Sequence, residues 1–247
     1  MLPDLPKIMT QAIKDEFSQL IVFLKNPISD LERPKSKLFT FFFVFCLDVI
    51  VGFFFILIML AMETVFDWDK YLIERYPDTN ESTAVIFITG CILAPLVEEY
   101  IFRLPLKYAP DKFQKRFLFP YSFLLLILFV SVAQKSWYIQ TLFWVLLWLL
   151  PVLLVYLSKN KIANRSEALF TTHFPRLFWI LSSAFALVHL FNYYLNFYVI
   201  LFAPILIGSQ FIGGCLFGYI RLKNGFWWGV LSHAAFNGLM ILGEKFS

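Results

Sequence analysis

Residues 38–62 carry a single charged side chain, Asp48, in a run otherwise built almost wholly of Leu, Phe, Ile, Val and Met. Such a stretch has few destinations. A bilayer core about 30 Å thick takes roughly 20 apolar residues as helix, because lipid offers no partner to a backbone amide. Six more runs meet the requirement, at about 83–107, 117–133, 137–157, 177–195, 197–220 and 225–243, the third being the shortest. The expected fold is therefore all-α: a polytopic transmembrane helix bundle of about seven spans, within a range of six to eight. Composition agrees, with 60% hydrophobic, 20% aromatic and 15% charged residues, where soluble domains carry about 25% charged.

Ahead of the first run, Ile8 to Lys25 mixes Ile13, Phe17, Leu20, Ile21 and Leu24 with Lys14, Asp15 and Glu16. This reads as an amphipathic helix lying on the membrane surface, with an extra half-buried helix as the alternative. Pro3, Pro6, Pro27 and Pro34 mark turns in this leader. Residues 1–37 lack the apolar core and cleavage site of a secretory signal, so the first run is expected to be retained as a span. Residues 1–37 thus form a cytoplasmic leader and 38–247 one membrane domain without internal repeat. Cys46, Cys91 and Cys215 lie in apolar runs, with no spacing suited to disulfides or a thiolate zinc site.

The net charge of +4 does not point to nucleic acid, because the basic residues fall in short tracts between apolar runs. Their sidedness is informative instead. With the N-terminus cytoplasmic, seventeen of the 21 Lys and Arg residues lie inside, leaving Lys70, Arg75, Lys135 and Lys245 outside, as the positive-inside rule requires. An even number of spans would spoil this alternation.

A charge at the centre of a membrane helix costs about 2.5–3.5 kcal/mol on insertion scales, so each needs a partner or a role. The second span contains Glu98, Glu99 and Arg103, the fifth Phe185 and His189, the seventh His233 and Asn237. The helical rise puts Glu98, His189, His233 and Asn237 at one depth, about 12–18 Å below the inner surface. Glu99 and Arg103, four apart, suit an ion pair, which leaves Glu98 for chemistry. His233 and Asn237 share a helix face. Phe185, one turn before His189, either orients that imidazole or belongs to the core. Asp48 is either a packing hydrogen bond or a second partner for Arg103. Ser209, Gly213, Gly214 and Gly218 permit close helix approach, and His173 reads as a solvated loop residue.

The ordered motifs Glu98-Glu99-x-x-x-Arg103, Phe185-x-x-x-His189 and His233-x-x-x-Asn237 resemble those of the CPBP family. That family includes the type II CAAX prenyl endopeptidases and bacterial bacteriocin-immunity (Abi) proteins. The match covers residues 94–237; Leu104 and Pro105 depart from it, since many members carry Gly after the motif Arg. The resemblance implies a metal-independent glutamate peptidase in which Glu98 and His189 activate a water. His233 and Asn237 would then donate to the oxyanion, with Glu99, Arg103 and Phe185 in support. It implies no cofactor and a peptide or protein substrate, prenylated or membrane-embedded, reached from the cytoplasmic side. The inner membrane of a prokaryotic cell is the expected location.

Three rivals stand beside this reading. Glu98, His189 and His233 could hold a catalytic zinc with one open position, although no His-Glu-x-x-His motif is present. A non-catalytic scaffold or immunity protein would use the same cavity to bind a partner. A transporter would need repeated halves with paired broken helices, which this sequence does not display.

Overall fold

A computed structural model describes residues 5–63, 65, 67, 83–108, 163–194 and 196–246. Described residues form helices in the order α1 (Leu5–Lys25), α2 (Lys37–Glu63), α3 (Thr83–Phe87), a π-helical segment (Ile88–Leu93), α4 (Ala94–Phe102) and a 3-10 turn (Leu104–Leu106). Then follow α5 (Ala163–Val188), a 3-10 turn (His189–Asn192), α6 (Phe197–Leu201), α7 (Ala203–Leu206), α8 (Gly208–Asn224) and α9 (Phe226–Phe246). No β-strand occurs among the described residues.

Among the described residues three stretches are long and apolar enough to cross a membrane: Lys37–Glu63, Ala84–Leu106 and Glu167–Asn192. Their outer faces carry apolar side chains such as Ile50, Phe53, Phe54 and Leu60, all more than half exposed. A continuous surface of this kind belongs against another apolar phase. The spans expected at 117–133 and 137–157 lie outside the described residues.

The first two spans occupy the expected positions. α2 opens where the Ser36 hydroxyl accepts from the backbone N–H of Phe39 at 3.2 Å, an N-cap. The second span changes helix type along its length. In the π segment the Ala94 N–H reaches back five residues to the Thr89 carbonyl. The next donor in that ladder would be Pro95, which has no N–H, so the Gly90 carbonyl loses its partner. At its other end, Leu104 and Pro105 close the span in a 3-10 turn, with the Leu106 N–H bonded to the Arg103 carbonyl at 3.2 Å.

Two expectations need correction. The fifth span begins earlier than 177, since α5 is 26 residues long and continues through Pro175. A proline removes one backbone bond and bends a helix, and enough bonds flank it here to carry the helix past. His173 therefore lies on α5, exposed, with Arg176 Nη1 3.5 Å from its Nδ1, rather than in a loop. The sixth span is not continuous over 197–220. Pro204 removes the donor that would reach the Ile200 carbonyl, and the chain breaks at Phe202 and Ile207 into α6, α7 and α8.

α8 is the central helix, packed against α1, α2, α5 and α9, with residues 213–224 buried throughout. Its glycines admit neighbouring side chains. A Cβ at Gly218 would lie 2.7 Å from the Phe178 ring, one at Gly214 would lie 3.0 Å from Phe185, and one at Gly213 would lie 3.0 Å from Asp48 Oδ1.

α1 docks on this centre through Leu20 and Phe23. Buried Glu16 accepts from Lys223 Nζ at 2.6 Å and from the Tyr219 hydroxyl at 2.9 Å. Met9, Ile13, Phe17 and Ile21, spaced at one helical turn, stay exposed. The leader helix is thus packed on protein along one face, while an apolar stripe is left on another.

Candidate functional site

The face of α9 made by Gly229, His233 and Asn237 lies along the second span in antiparallel register. Gly229 approaches Glu99, His233 meets Glu98 and Glu99, and Asn237 meets Gly90. As α9 numbering rises, its partners' numbering falls. Two helices running in opposite directions thereby bring their polar residues to one layer.

Glu99 is fully buried and anchors this layer. Its Oε1 accepts from His233 Nδ1 at 3.1 Å and lies 3.5 Å from Arg103 Nε. Gly229 gives it room, since a Cβ there would stand 3.2 Å from Oε2. Arg103, 1% exposed, also donates from Nη2 to the Gly214 carbonyl at 3.3 Å. Its guanidinium sits 3.9 Å from the centroid of the Phe185 ring, a desolvated cation–π contact. The ion pair between Glu99 and Arg103 is present, and both members are sealed from solvent.

Glu98 occupies the neighbouring helix face. Its side chain is 26% exposed and its Oε2 lies 3.5 Å from His233 Nε2. His233 therefore bridges the two acids, one at each ring nitrogen. With Nδ1–H donated to Glu99, the imidazole is fixed in orientation and Nε2 is presented toward Glu98. Phe217 stacks on this ring at 4.6 Å with an interplanar angle of 16°. His233 is thus an imidazole in contact with Glu98.

His189 sits in the 3-10 turn that ends α5, its Nδ1 2.8 Å from the Phe185 carbonyl oxygen. A carbonyl can only accept, so Nδ1 carries the proton and Nε2 is the basic nitrogen of the neutral ring. The Phe185 ring touches both imidazoles edge-on, at 4.9 Å from His189 and 5.6 Å from His233. Buried Phe185 thus serves as core residue and orienting residue at once.

Asn237 donates from Nδ2 to the Gly90 carbonyl at 2.9 Å. This is the oxygen that Pro95 leaves without a backbone donor, so the amide repairs the broken ladder and is itself held in place. One of its two amide hydrogens is committed there. Asp48 on α2 is 2% exposed and makes no ion pair with Arg103. Among the described residues no three His, Cys, Asp or Glu side chains gather as a metal ion would need.

Sequence reasoning missed Gly229, Phe217 and Gly90. Gly229 had a legible signal, lying one turn before His233 on the same face. Phe217 had none, because one aromatic among 31 Phe residues is not distinguished by spacing. Comparison with family models, with curated proteins and with solved structures finds no match to this chain.

Proposed function

We propose that the chain is an intramembrane endopeptidase of the CPBP type, with seven spans, a cytoplasmic N-terminus and a site open to the cytoplasmic side of a prokaryotic inner membrane. The exposed Met9, Ile13, Phe17 and Ile21 stripe of α1 rests on the membrane surface. The observation that carries the reading is the buried relay Glu99–His233–Glu98, in which one acid orients an imidazole toward a second, more accessible acid.

In this reading Glu98 takes a proton from a water whose other hydrogen is directed at His189 Nε2. The hydroxide adds to the carbonyl carbon of the scissile bond. His233, carrying a proton on each ring nitrogen with its Nδ1–H held by Glu99, donates from Nε2 to the oxyanion, and the second amide hydrogen of Asn237 donates beside it. Collapse of the tetrahedral intermediate breaks the C–N bond, and Glu98 returns the proton to the leaving amine. The chain's own residues suffice for each step, so the reading is metal-independent. A peptide or protein segment at the membrane is the substrate, and a prenyl group on it would lie along the apolar exterior.

Quantitative mapping of protein termini in membranes holding wild-type or Glu98→Gln protein tests this. A peptide end generated only by the wild type is expected. Identical termini in both membranes would instead favour a scaffold that binds a partner through the same residues.

A further inference from the structure

α1, the connector at residues 32–36 and the first turn of α2 border a cavity of about 900 Å³ that shares no residue with the relay. Ligand pockets commonly fall at about 300–1,000 Å³. Buried Glu16 and Lys223 line its floor, 6% and 5% exposed. The three hydrogens of Lys223 Nζ are all committed, to Glu16 Oε1 at 2.6 Å, Gln19 Oε1 at 2.8 Å and the Tyr219 hydroxyl oxygen at 2.9 Å. Glu16 is not satisfied in the same way. Its Oε1 takes Lys223, Tyr219 and, at 3.5 Å, the Thr40 hydroxyl, while Oε2 meets no partner among the described residues. A carboxylate oxygen at such a depth calls for a hydrogen-bond donor, and the cavity is the side from which one can reach it.

The walls define that donor. Asp15, Glu16 and Glu32 are matched by Arg33, Lys35 and Lys223, three acids to three bases, so a group with one charge of each sign is more complementary than a simple anion. Its positive end must carry hydrogens for Glu16 Oε2, as a primary ammonium does. A quaternary ammonium has none and needs an aromatic cage, whereas Phe39 is the one ring among the described lining residues. Its negative end belongs with Arg33 and Lys35, beside the first turn of α2, where Ser36 caps the helix and the dipole favours an anion. The cavity also lies at headgroup level, because α2 is long and apolar enough to cross a membrane and begins at Lys37. Ile8 and Met9, which line it as well, are both more than half exposed. We propose that this cavity binds a phospholipid whose headgroup carries a primary ammonium beside its phosphate, as phosphatidylethanolamine does. The ammonium sits on Glu16 Oε2, the phosphate beside Arg33 and Lys35, and the acyl chains along the apolar stripe of α1. The lipid thereby ties α1, α2 and α8 together at one face of the membrane. The proposal needs α2 to be a span, and it does not need the relay to be catalytic.

The full chain is stripped of lipid in detergent and titrated under native mass spectrometry with dioleoyl phosphatidylethanolamine, phosphatidylcholine or phosphatidylglycerol. A fourth titration uses glycerophosphoethanolamine, which keeps the headgroup and lacks the chains. Wild type is expected to bind the ethanolamine lipid about tenfold more tightly than each of the other three, the scale of one charge-assisted hydrogen bond. Glu16→Gln, which keeps an acceptor for Lys223 and removes the charge, is expected to bring the ethanolamine lipid down to the choline level. Ala12→Phe, which fills the cavity from a half-buried position on α1, is expected to abolish the preference with the melting temperature unchanged. Equal affinity of wild type for the ethanolamine and choline lipids, or tighter binding of phosphatidylglycerol, would overturn the proposal. So would an Ala12→Phe protein that keeps the wild-type preference, and that variant decides the matter even where Glu16→Gln does not fold. Glycerophosphoethanolamine binding as tightly as the lipid would make the occupant a soluble phosphoester, which overturns the assignment to the membrane.

Discussion

Arg103→Met is expected to destabilise the folded protein by about 3–5 kcal/mol, the range for removing one partner of a buried ion pair. Glu99 is fully buried and Arg103 is 1% exposed, so neither can turn to solvent when its partner goes. The methionine also gives up the 3.3 Å bond to the Gly214 carbonyl and the contact 3.9 Å from the Phe185 centroid. His233, on the same Glu99 oxygen at 3.1 Å, would remain as its hydrogen-bond partner. Removing both members is expected to cost far less than removing one, because no uncompensated charge remains. Equilibrium unfolding in detergent of Arg103→Met, Glu99→Gln and the double variant closes the cycle. A loss below about 1 kcal/mol in Arg103→Met would mean that this pair does not hold the second span in place.

Glu98→Gln is expected to act in the opposite manner, leaving stability alone and removing turnover. The amide fills the carboxylate's volume, and at 26% exposure the position tolerates a neutral side chain. What disappears is the proposed base, and general-base catalysis contributes about 10²–10⁴-fold. The measurement is kcat and KM on a peptide that spans the junction found by terminal mapping, alongside the melting temperature. A fall in kcat of about 10³-fold with KM and melting unchanged is expected, the pattern of an interaction made in the transition state. Retention of more than about a tenth of the wild-type kcat would assign the base elsewhere.

The parts of this molecule legible in the sequence are those whose physics is local. α2 is readable because lipid allows an apolar run of that length only one conformation, and the expected 38–62 falls within Lys37–Glu63. The pair of Glu99 with Arg103 is readable because residues four apart meet on a helix. The shared face of His233 and Asn237 follows from the same period. The remainder depended on acceptors and partners that spacing cannot supply. Pro95 and Pro204 are plain to see, but whether a proline bends, breaks or changes the type of a helix depends on which carbonyl it orphans and what repairs it. Asn237 is the repair at Gly90, and nothing near either residue announces the other. At Pro175, by contrast, the helix continues.

α1 illustrates a second limit. Its apolar spacing suggested a surface helix, and the exposed Met9, Ile13, Phe17 and Ile21 retain that character. Glu16 on its buried side instead meets Lys223, distant in sequence, and the docking of one face could not be read from either residue. α8 marks the third limit. It ends in Arg221, Lys223 and Asn224, all buried, so the polarity that weakens its reading as a span arises from partners inside the protein. Arg221 donates from Nε to the Arg103 carbonyl at 3.3 Å, and the Asn224 amide donates to the Lys37 carbonyl at 2.8 Å.

The most direct test of the proposed hydrolytic site of two acids, two imidazoles and an amide is the rate of peptide cleavage by purified wild-type protein after exhaustive chelation. The account predicts an undiminished rate, because Glu98 and the oriented imidazoles carry each proton themselves. A rate that collapses to that of Glu98→Gln and returns when zinc is added would contradict it.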